Sequence, residues 1–564
     1  MNRAILEPGP RSAAILMSWL FRPSTLILAS VVLAITATML VFWPTSADNG
    51  AIPLTVSKGD QEVVWLYSAT SGAQWERFVA GIDVAVARLG ANSSGLELEI
   101  NKDAAFPLQT TAIPEVSVGI KGGQNRLRFR WYKLTSDLKS QDWVQALLHR
   151  KPPPLAIIGG NSSDQAIELA HDLQNRRQSA SDAAPLLLLA TSTADDEVDP
   201  SGQSATPLTS IYAERTLRFC FTNRQMALTM VDFLWSRDDL RPDADPVYLA
   251  FWADDPYSND LSARFLEAVN MPLGRTAARD WAAIAGFALA GGLPLDFSGP
   301  GLRQLSSGGI PQSERIEYSV GTFDRPNRWE AQAANSLMDT KLTQYPMQRR
   351  PLLIVTPAAT QPARRFLRGL VRAAPSEARR FVVATGDGVP FNAIYRDRNV
   401  TWPIQDLPFS FLLFCHRNPV DESAGFRPEG PLGGETGERL ASSLGTEDLL
   451  LNMDIVATIL QASFTPNPPT FDPAEIQRRM RQARWSRGQE LVCFEPDAEA
   501  LFDADGNRRS GTGEHIVYLR PASTTEQVQP KSIIEVWSWQ RGDGRRGAKY
   551  QRQALLHVQY DEVE

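Results

Sequence analysis

An α/β fold, with parallel sheets covered by helices on both faces, is what this sequence predicts. Three observations predict it. Short apolar runs alternate with amphipathic helical stretches along most of the chain. The part beyond residue 44 is too long for one simple core, so two lobes or more are expected. A single charge-free apolar run at 25–43 precedes them. As a helix, that run covers roughly 30 Å, the hydrocarbon thickness of a bilayer, with its backbone polar groups satisfied internally. Arg3, Arg11 and Arg22 precede it and Asp48 is the first charge after it, so the short N-terminus is expected in the cytoplasm and the bulk outside. The alternative is a cleaved signal peptide. The run exceeds the usual ~7–15 apolar residues of such a segment, and Thr45-Ser46-Ala47 fits a cleavage site only loosely, which favours a retained anchor.

After a linker near 45–59, Val63–Tyr67 reads as a buried strand. Gln74–Leu89 follows as a helix, with Phe78, Ile82, Ala85 and Leu89 on one face. Leu127–Tyr132 alternates as a strand, and Asp142–His149 is helical. Leu155–Ile158 is a short apolar strand, with Gly159-Gly160-Asn161-Ser162-Ser163 and a helix through Leu173 behind it. Further strands are expected at Leu186–Ala190, Val247–Phe251, Leu352–Val355 and Phe381–Ala384. Stretches 102–125, 271–312 and 418–446 are rich in Gly, Pro and Ser and read as insertions. In open parallel sheets ligands bind outside the carboxyl ends of the strands, so the loops after each strand carry the functional candidates.

Hydrophobic residues make up 43% and charged residues 21% of the chain, which suits a globular body. A net charge of −7, with no basic tract beyond the first residues, argues against nucleic acid as a partner. Cys220, Cys415 and Cys493 match no zinc spacing, and the five histidines stand singly, so no metal or other cofactor is expected. One disulfide is open to the three cysteines, but buried thiols are the preferred reading. Asp503, Asp505, Asn507 and Glu514 fall at calcium-loop positions, yet Arg508 stands where that loop needs glycine, and a hairpin turn is the better reading. The basic stretch Gln477–Arg484 reads as a solvated helix face.

Several loops, taken in order, resemble those of the type I periplasmic binding proteins, the branched-chain amino acid-binding family. Leu155–Ser163 resembles its IIGPxSS strand-loop-helix, and Leu188–Thr193 its next strand with a hydroxyl-bearing loop. Leu217–Phe219 with Thr222–Ala227 resembles its first crossover. Phe251–Tyr257 resembles DDPYG, with Ser258 in place of the glycine, and Ala500–Arg508 resembles the late FDxxGNR turn. The resemblance runs from about 60 to 540. It implies two lobes joined by three crossovers, a hinge, and a ligand trapped between them. Mapped here, lobe one would take 60–221 and 388–465, and lobe two 222–387 and 466–564.

The resemblance also implies a role for particular residues. Asn161, Ser162 and Ser163 open a helix, where free amides and hydroxyls suit a carboxylate; an ordinary N-cap is the plain alternative. Thr191, Ser192 and Thr193 would add contacts to the same group. Tyr257 matches a cleft tyrosine. Asp387 would pair with a ligand ammonium, though it is one methylene shorter than the glutamate often found there. Trp75 would form a pocket wall or else lie in the core. The implied function is a membrane-anchored, extracytoplasmic, non-enzymatic solute-binding protein for a small polar ligand such as an amino acid or related amide. It would serve uptake or sensing, with a membrane transporter or other membrane protein as partner. The alternative is a protein-interaction or regulatory scaffold with a degenerate cleft.

Overall fold

Buried apolar runs become the central strands. Val63–Tyr67 is buried on both faces, which only an interior strand allows, and it forms the middle of the first sheet. In the computed structural model the described residues are 50–92, 97–177, 184–198, 205–241, 247–250, 256–270, 302–305, 352–357, 360–373, 381–391, 409–421, 446–466, 469–487, 490–521, 532–540 and 549–558. The chain divides into two compact units, 1–52 and 53–564. Of the first, only 50–52 fall among the described residues, so the predicted span at 24–44 lies outside them. Among the described residues no helix is long and apolar enough to cross a membrane.

The second unit starts with strands β1 (Gln61–Ser68), β2 (Leu98–Asn101), β3 (Glu115–Ile120) and β4 (Arg126–Leu134). Strands β5 (Ala156–Gly159), β6 (Leu186–Leu189), β7 (Asp196–Val198), β8 (Ala205–Pro207) and β9 (Thr216–Arg218) follow. Helices α1 (Gly72–Asn92), α2 (Ser140–His149), α3 (Ser163–Arg177) and the short α4 (Leu208–Ile211) are interleaved with them. The first sheet runs β2-β3-β4-β1-β5-β6-β9. Strands β4, β1, β5, β6 and β9 are parallel, while β2 and β3 add antiparallel at one edge.

Helix α5 (Asn223–Ser236) opens the second lobe, capped by Thr222, whose hydroxyl accepts the Gln225 N–H. Helix α6 (Pro256–Asn270) and helix α7 (Thr360–Ala373) accompany β10 (Val247–Ala250), β11 (Leu302–Leu305), β12 (Leu352–Val355), β13 (Phe381–Ala384) and β14 (Ser410–Cys415). The chain then returns to the first core with α8 (Thr446–Phe464), α9 (Pro473–Met480) and a small sheet of β15 (Arg484–Ser486), β16 (Leu491–Cys493) and β17 (Glu499–Ala500). It ends in the second lobe with β18 (His515–Pro521), β19 (Ser532–Gln540) and β20 (Lys549–Val558). The second sheet runs β11-β10-β12-β13-β14-β18-β19-β20, parallel as far as β14 and antiparallel beyond it.

The sheets are mixed rather than purely parallel, because hairpins supply their edges. Strands β3 and β11 lie inside stretches 102–125 and 271–312, which read as insertions. The second change of lobe comes later than 388, since β14 still pairs with β13. Lobe one therefore regains the chain at α8 and keeps it through the turn at 503–507, where the mapping had switched at 466. That turn docks on the sheet edge: Gly506 (φ +85°) accepts the Arg218 N–H at 2.8 Å, and a Cβ there would lie 2.2 Å from the Thr216 carbonyl oxygen.

The crossovers meet around one carboxylate. Asp454 of α8 is fully buried and lies 3.1 Å from Arg508 Nη1 and 3.4 Å from Arg417 Nη1. Arg508 also donates to the Phe219 carbonyl at 2.9 Å and to the Thr512 hydroxyl at 3.0 Å. Both guanidiniums stack on Trp485, at 4.6 and 4.9 Å. Burial lowers the Arg508 pKa to about 10, against the pull of Asp454. Removing the shared carboxylate leaves two buried cations uncompensated. Asp454→Ala is expected to lose about 3–5 kcal/mol of unfolding free energy, read from denaturant titration; a loss within experimental error would remove Asp454 from this role.

Candidate ligand cleft

The carboxyl ends of the central strands of both sheets open into one cavity of about 580 Å³ between the lobes. From lobe one it is lined by Trp65 and Tyr67 of β1, Gln74 and Arg77 of α1, Asn161–Ser163, Thr191, Thr193, and Glu447, Asp448 and Asn452 of α8. From lobe two it is lined by Tyr257, Thr360, Asp387, Gly388 and His416.

On the lobe-one side, Ser162 and Ser163 sit at the start of α3. The Ser162 hydroxyl lies 3.5 Å from the Gln165 N–H, and the Ser163 hydroxyl accepts the Ala194 N–H at 3.2 Å. Ser162 and Asn161 are exposed and line the cavity, so the contact with the α3 N-terminus leaves both side chains open to it. The Thr191 hydroxyl donates to the Asn161 carbonyl at 3.4 Å. Tyr67 hydrogen-bonds the Thr191 side chain, and burial pushes its phenol well above the ordinary value. Trp65 stacks on Tyr67 with ring centroids 4.0 Å apart. Its buried Nε1 has no acceptor among the described residues.

On the lobe-two side, Asp387 anchors a short chain of hydrogen bonds. Tyr257 donates its hydroxyl proton to Asp387 Oδ1 at 2.8 Å and accepts the Gly388 N–H at 2.9 Å. Gly386 permits this approach, because a Cβ there would lie 2.5 Å from the Tyr257 hydroxyl. His416 Nε2 is 3.0 Å from Asp387 Oδ2. The Phe221 backbone N–H, 3.0 Å from His416 Nδ1, can only donate. Nδ1 therefore accepts, and the ring proton sits on Nε2 facing the carboxylate.

The first turn of α8 closes the floor. Asp448 pairs with Arg77 at 2.6 Å. Glu447 accepts the His416 backbone N–H. Burial, reinforced by the charge of Asp448, raises its carboxyl well above the ordinary value. The cavity thus offers hydroxyls and amides at the start of α3, and carboxyls at Asp387 and along the α8 floor. The nearby thiols are not poised as nucleophiles: burial pushes Cys220 up to about 12, and Cys415 is raised too. All three cysteines are free.

Seven of the nine residues picked from the sequence line this cavity: Asn161, Ser162, Ser163, Thr191, Thr193, Tyr257 and Asp387. Ser192 does not. It is fully buried, and its hydroxyl donates to the Gly160 carbonyl. Trp75 is a core residue, 1% exposed, with its indole N–H donated to the Ala105 carbonyl at 2.8 Å. The sequence reading missed Arg77, His416, Glu447 and Asp448. His416 follows β14 directly and obeys the loop-after-strand rule, but the sequence analysis places no strand at 410–415.

No protein-family model matches the chain, and no curated protein matches it in sequence. Its structural neighbours are type I periplasmic binding proteins. A substrate-binding protein of an ABC transporter from Desulfitobacterium hafniense, in complex with leucine, is 13% identical, covers 87% of this chain and 100% of its own, and superposes with a TM-score of 0.44. A branched-chain amino acid transporter substrate-binding protein from Streptococcus pneumoniae, in complex with isoleucine, is 12% identical, with coverages of 88% and 99% and a TM-score of 0.44. A solute-binding protein from R. palustris, in complex with 4-hydroxybenzoate, is 12% identical, with coverages of 89% and 98% and a TM-score of 0.42.

Two outcomes are expected of this site. Trp75→Ala should lower the unfolding free energy by about 3–5 kcal/mol, as a core deletion does; a folded variant of unchanged stability would return Trp75 to the cavity wall. Glu447, whose folded pKa is raised, stabilises the fold below the unfolded carboxyl pKa of about 4.3, and that share is lost as pH rises. Glu447→Gln should flatten the decline of stability with rising pH, measured by chemical denaturation across the acid-to-neutral range. An unaltered slope would show that Glu447 is ionised in the folded chain.

Proposed function

We propose that the chain is a solute-binding protein that captures a small polar molecule between its lobes and closes over it. The best-fitting class is a zwitterion, such as an amino acid or a related amide. What supports this most is the polarity of the cleft wall. The α3 start offers amides and the Ser162 hydroxyl for a carboxylate, and the opposite lobe offers Asp387 for an ammonium group. The orphan indole N–H of Trp65 would take an acceptor atom of the ligand. A cavity of about 580 Å³ suits a small molecule. Binding and hinge closure need no bond to be made or broken, so the reading is non-enzymatic. With residues 24–44 as anchor, the binding unit would work outside the cytoplasm beside a membrane transporter or a sensing partner.

One observation favours the other reading, a scaffold with a degenerate cleft. Both oxygens of Asp387 are already engaged, by Tyr257 and His416. A ligand ammonium must share them.

Thermal unfolding of the full chain against amino acids, short peptides, amides, sugars and 4-hydroxybenzoate separates the two. A ligand at 100 times its dissociation constant stabilises the folded state by about 2.7 kcal/mol. A shift with a zwitterion, lost in Asp387→Ala, is the expected result. A folded chain with no shift across the panel would support the scaffold.

A further inference from the structure

A second charged cluster joins the lobes beside the first crossover, next to the cavity-lining Thr193. Arg264 of α6, in lobe two, lies 2.5 Å from Asp196 and 3.4 Å from Asp195, both in lobe one. On its own helix it meets Asp260 one turn back at 3.4 Å and Glu267 at 3.3 Å. Asp260 in turn accepts the Asp195 backbone N–H at 3.1 Å and the Asn223 side-chain amide at 2.7 Å. Asp195 accepts the Arg224 backbone N–H at 2.8 Å. Among the described residues, Arg224, paired with Glu267, and Arg218, whose charge acts on Asp195, also face the cluster. Every contact between Arg264 or Asp260 and residues 195–196 crosses from one lobe to the other, beside the loop that carries Thr191 and Thr193. The cluster flanks the first crossover, where the Asn223 N–H donates to the Thr193 carbonyl at 2.7 Å, so the Arg264–Asp196 and Asp260–Asp195 contacts are the ones a rotation of the lobes would loosen.

We propose that Arg264, Asp195, Asp196 and Asp260 form an interlobe latch that takes up a proton as the lobes close, so that the chain holds its cleft shut more firmly in acid than at neutral pH. Four carboxyls crowd around Arg264 when the lobes meet, and two of them, Asp195 and Asp260, carry hydrogen bonds that tie them into the interface. Burial, then the charge of Asp195, raises Asp260 to about 6, and burial raises Asp195 as well. Loosening these contacts would let water back to both, and an aspartate in water titrates near 3.9. The latched form therefore binds the proton more tightly, and linkage favours it as pH falls through about 6. The ratio of closed to open forms should rise on the order of tenfold between about pH 7.5 and about pH 5.

The test uses the full chain with an empty cleft, so it stands apart from the solute-binding reading. Nitroxide labels go on cysteines placed at exposed Ala87 in lobe one and exposed Asp238 in lobe two, in a Cys493→Ser background. Interlobe distance distributions are then read by dipolar spectroscopy at the two pH values. The short-distance population should grow in acid for the parent chain. Asp260→Asn, which carries the neutral form permanently, should hold the short distance at both pH values. Arg264→Gln should shift both toward the long distance, with circular dichroism showing that each variant is folded. A parent distribution that ignores pH, an Asp260→Asn chain that keeps the parent's pH response, or an Arg264→Gln chain that matches the parent would each overturn the latch.

Discussion

The buried carboxylate of Asp454 is the constraint on which the rest of the structure depends. Among the described residues the chain changes lobes three times, and each passage sends a group to this point: the Phe219 carbonyl from the first, Arg417 from the second, Arg508 from the third. Two guanidiniums share one carboxylate in a place without solvent, stacked on Trp485. Such an arrangement tolerates little slack, because any displacement leaves a buried charge uncompensated. Asp454 belongs to α8, and the first turn of the same helix presents Glu447 and Asp448 to the cavity. Position at the hinge and position at the cleft floor are therefore set by one rigid element.

His416 extends that coupling. It stands next to Arg417 at the end of β14, accepts from the first crossover at Phe221, and faces Asp387 across the cavity wall. Its own backbone N–H goes to Glu447 of the other lobe. A change in charge or position at Asp387 is thus felt at two crossovers and at α8 through direct hydrogen bonds. The polar groups of the wall are largely satisfied by one another, which fixes their directions before anything binds and lowers the ordering cost of binding.

Much of this was legible in the sequence, for a physical reason. A parallel strand buried on both faces needs a continuous apolar run, and Val63–Tyr67, Leu155–Ile158 and Phe381–Ala384 announce themselves that way. The loop that follows each such strand then faces the cleft, which located Asn161–Ser163, Thr191 and Asp387. Trp75 misled because a helix-face aromatic beside a cleft looks the same in sequence whether it faces ligand or core. Ser192 misled because successive loop residues point in different directions. Strand β18 was invisible as the partner of β14, since antiparallel pairing across a crossover joins segments about a hundred residues apart and leaves no local signal. Asp454 sits mid-helix among apolar neighbours, where only the three-dimensional meeting with Arg417 and Arg508 explains a buried acid.

The most direct measurement is a crystal structure of the chain grown with a saturating small zwitterion such as leucine. The expected result is ligand density between the start of α3 and Asp387, with the carboxylate toward Ser162 and the ammonium toward the Asp387–Tyr257 pair. Density seated elsewhere, or a cleft holding only solvent at saturation while other members of the solute panel also fail to enter it, would contradict the binding role of this cavity.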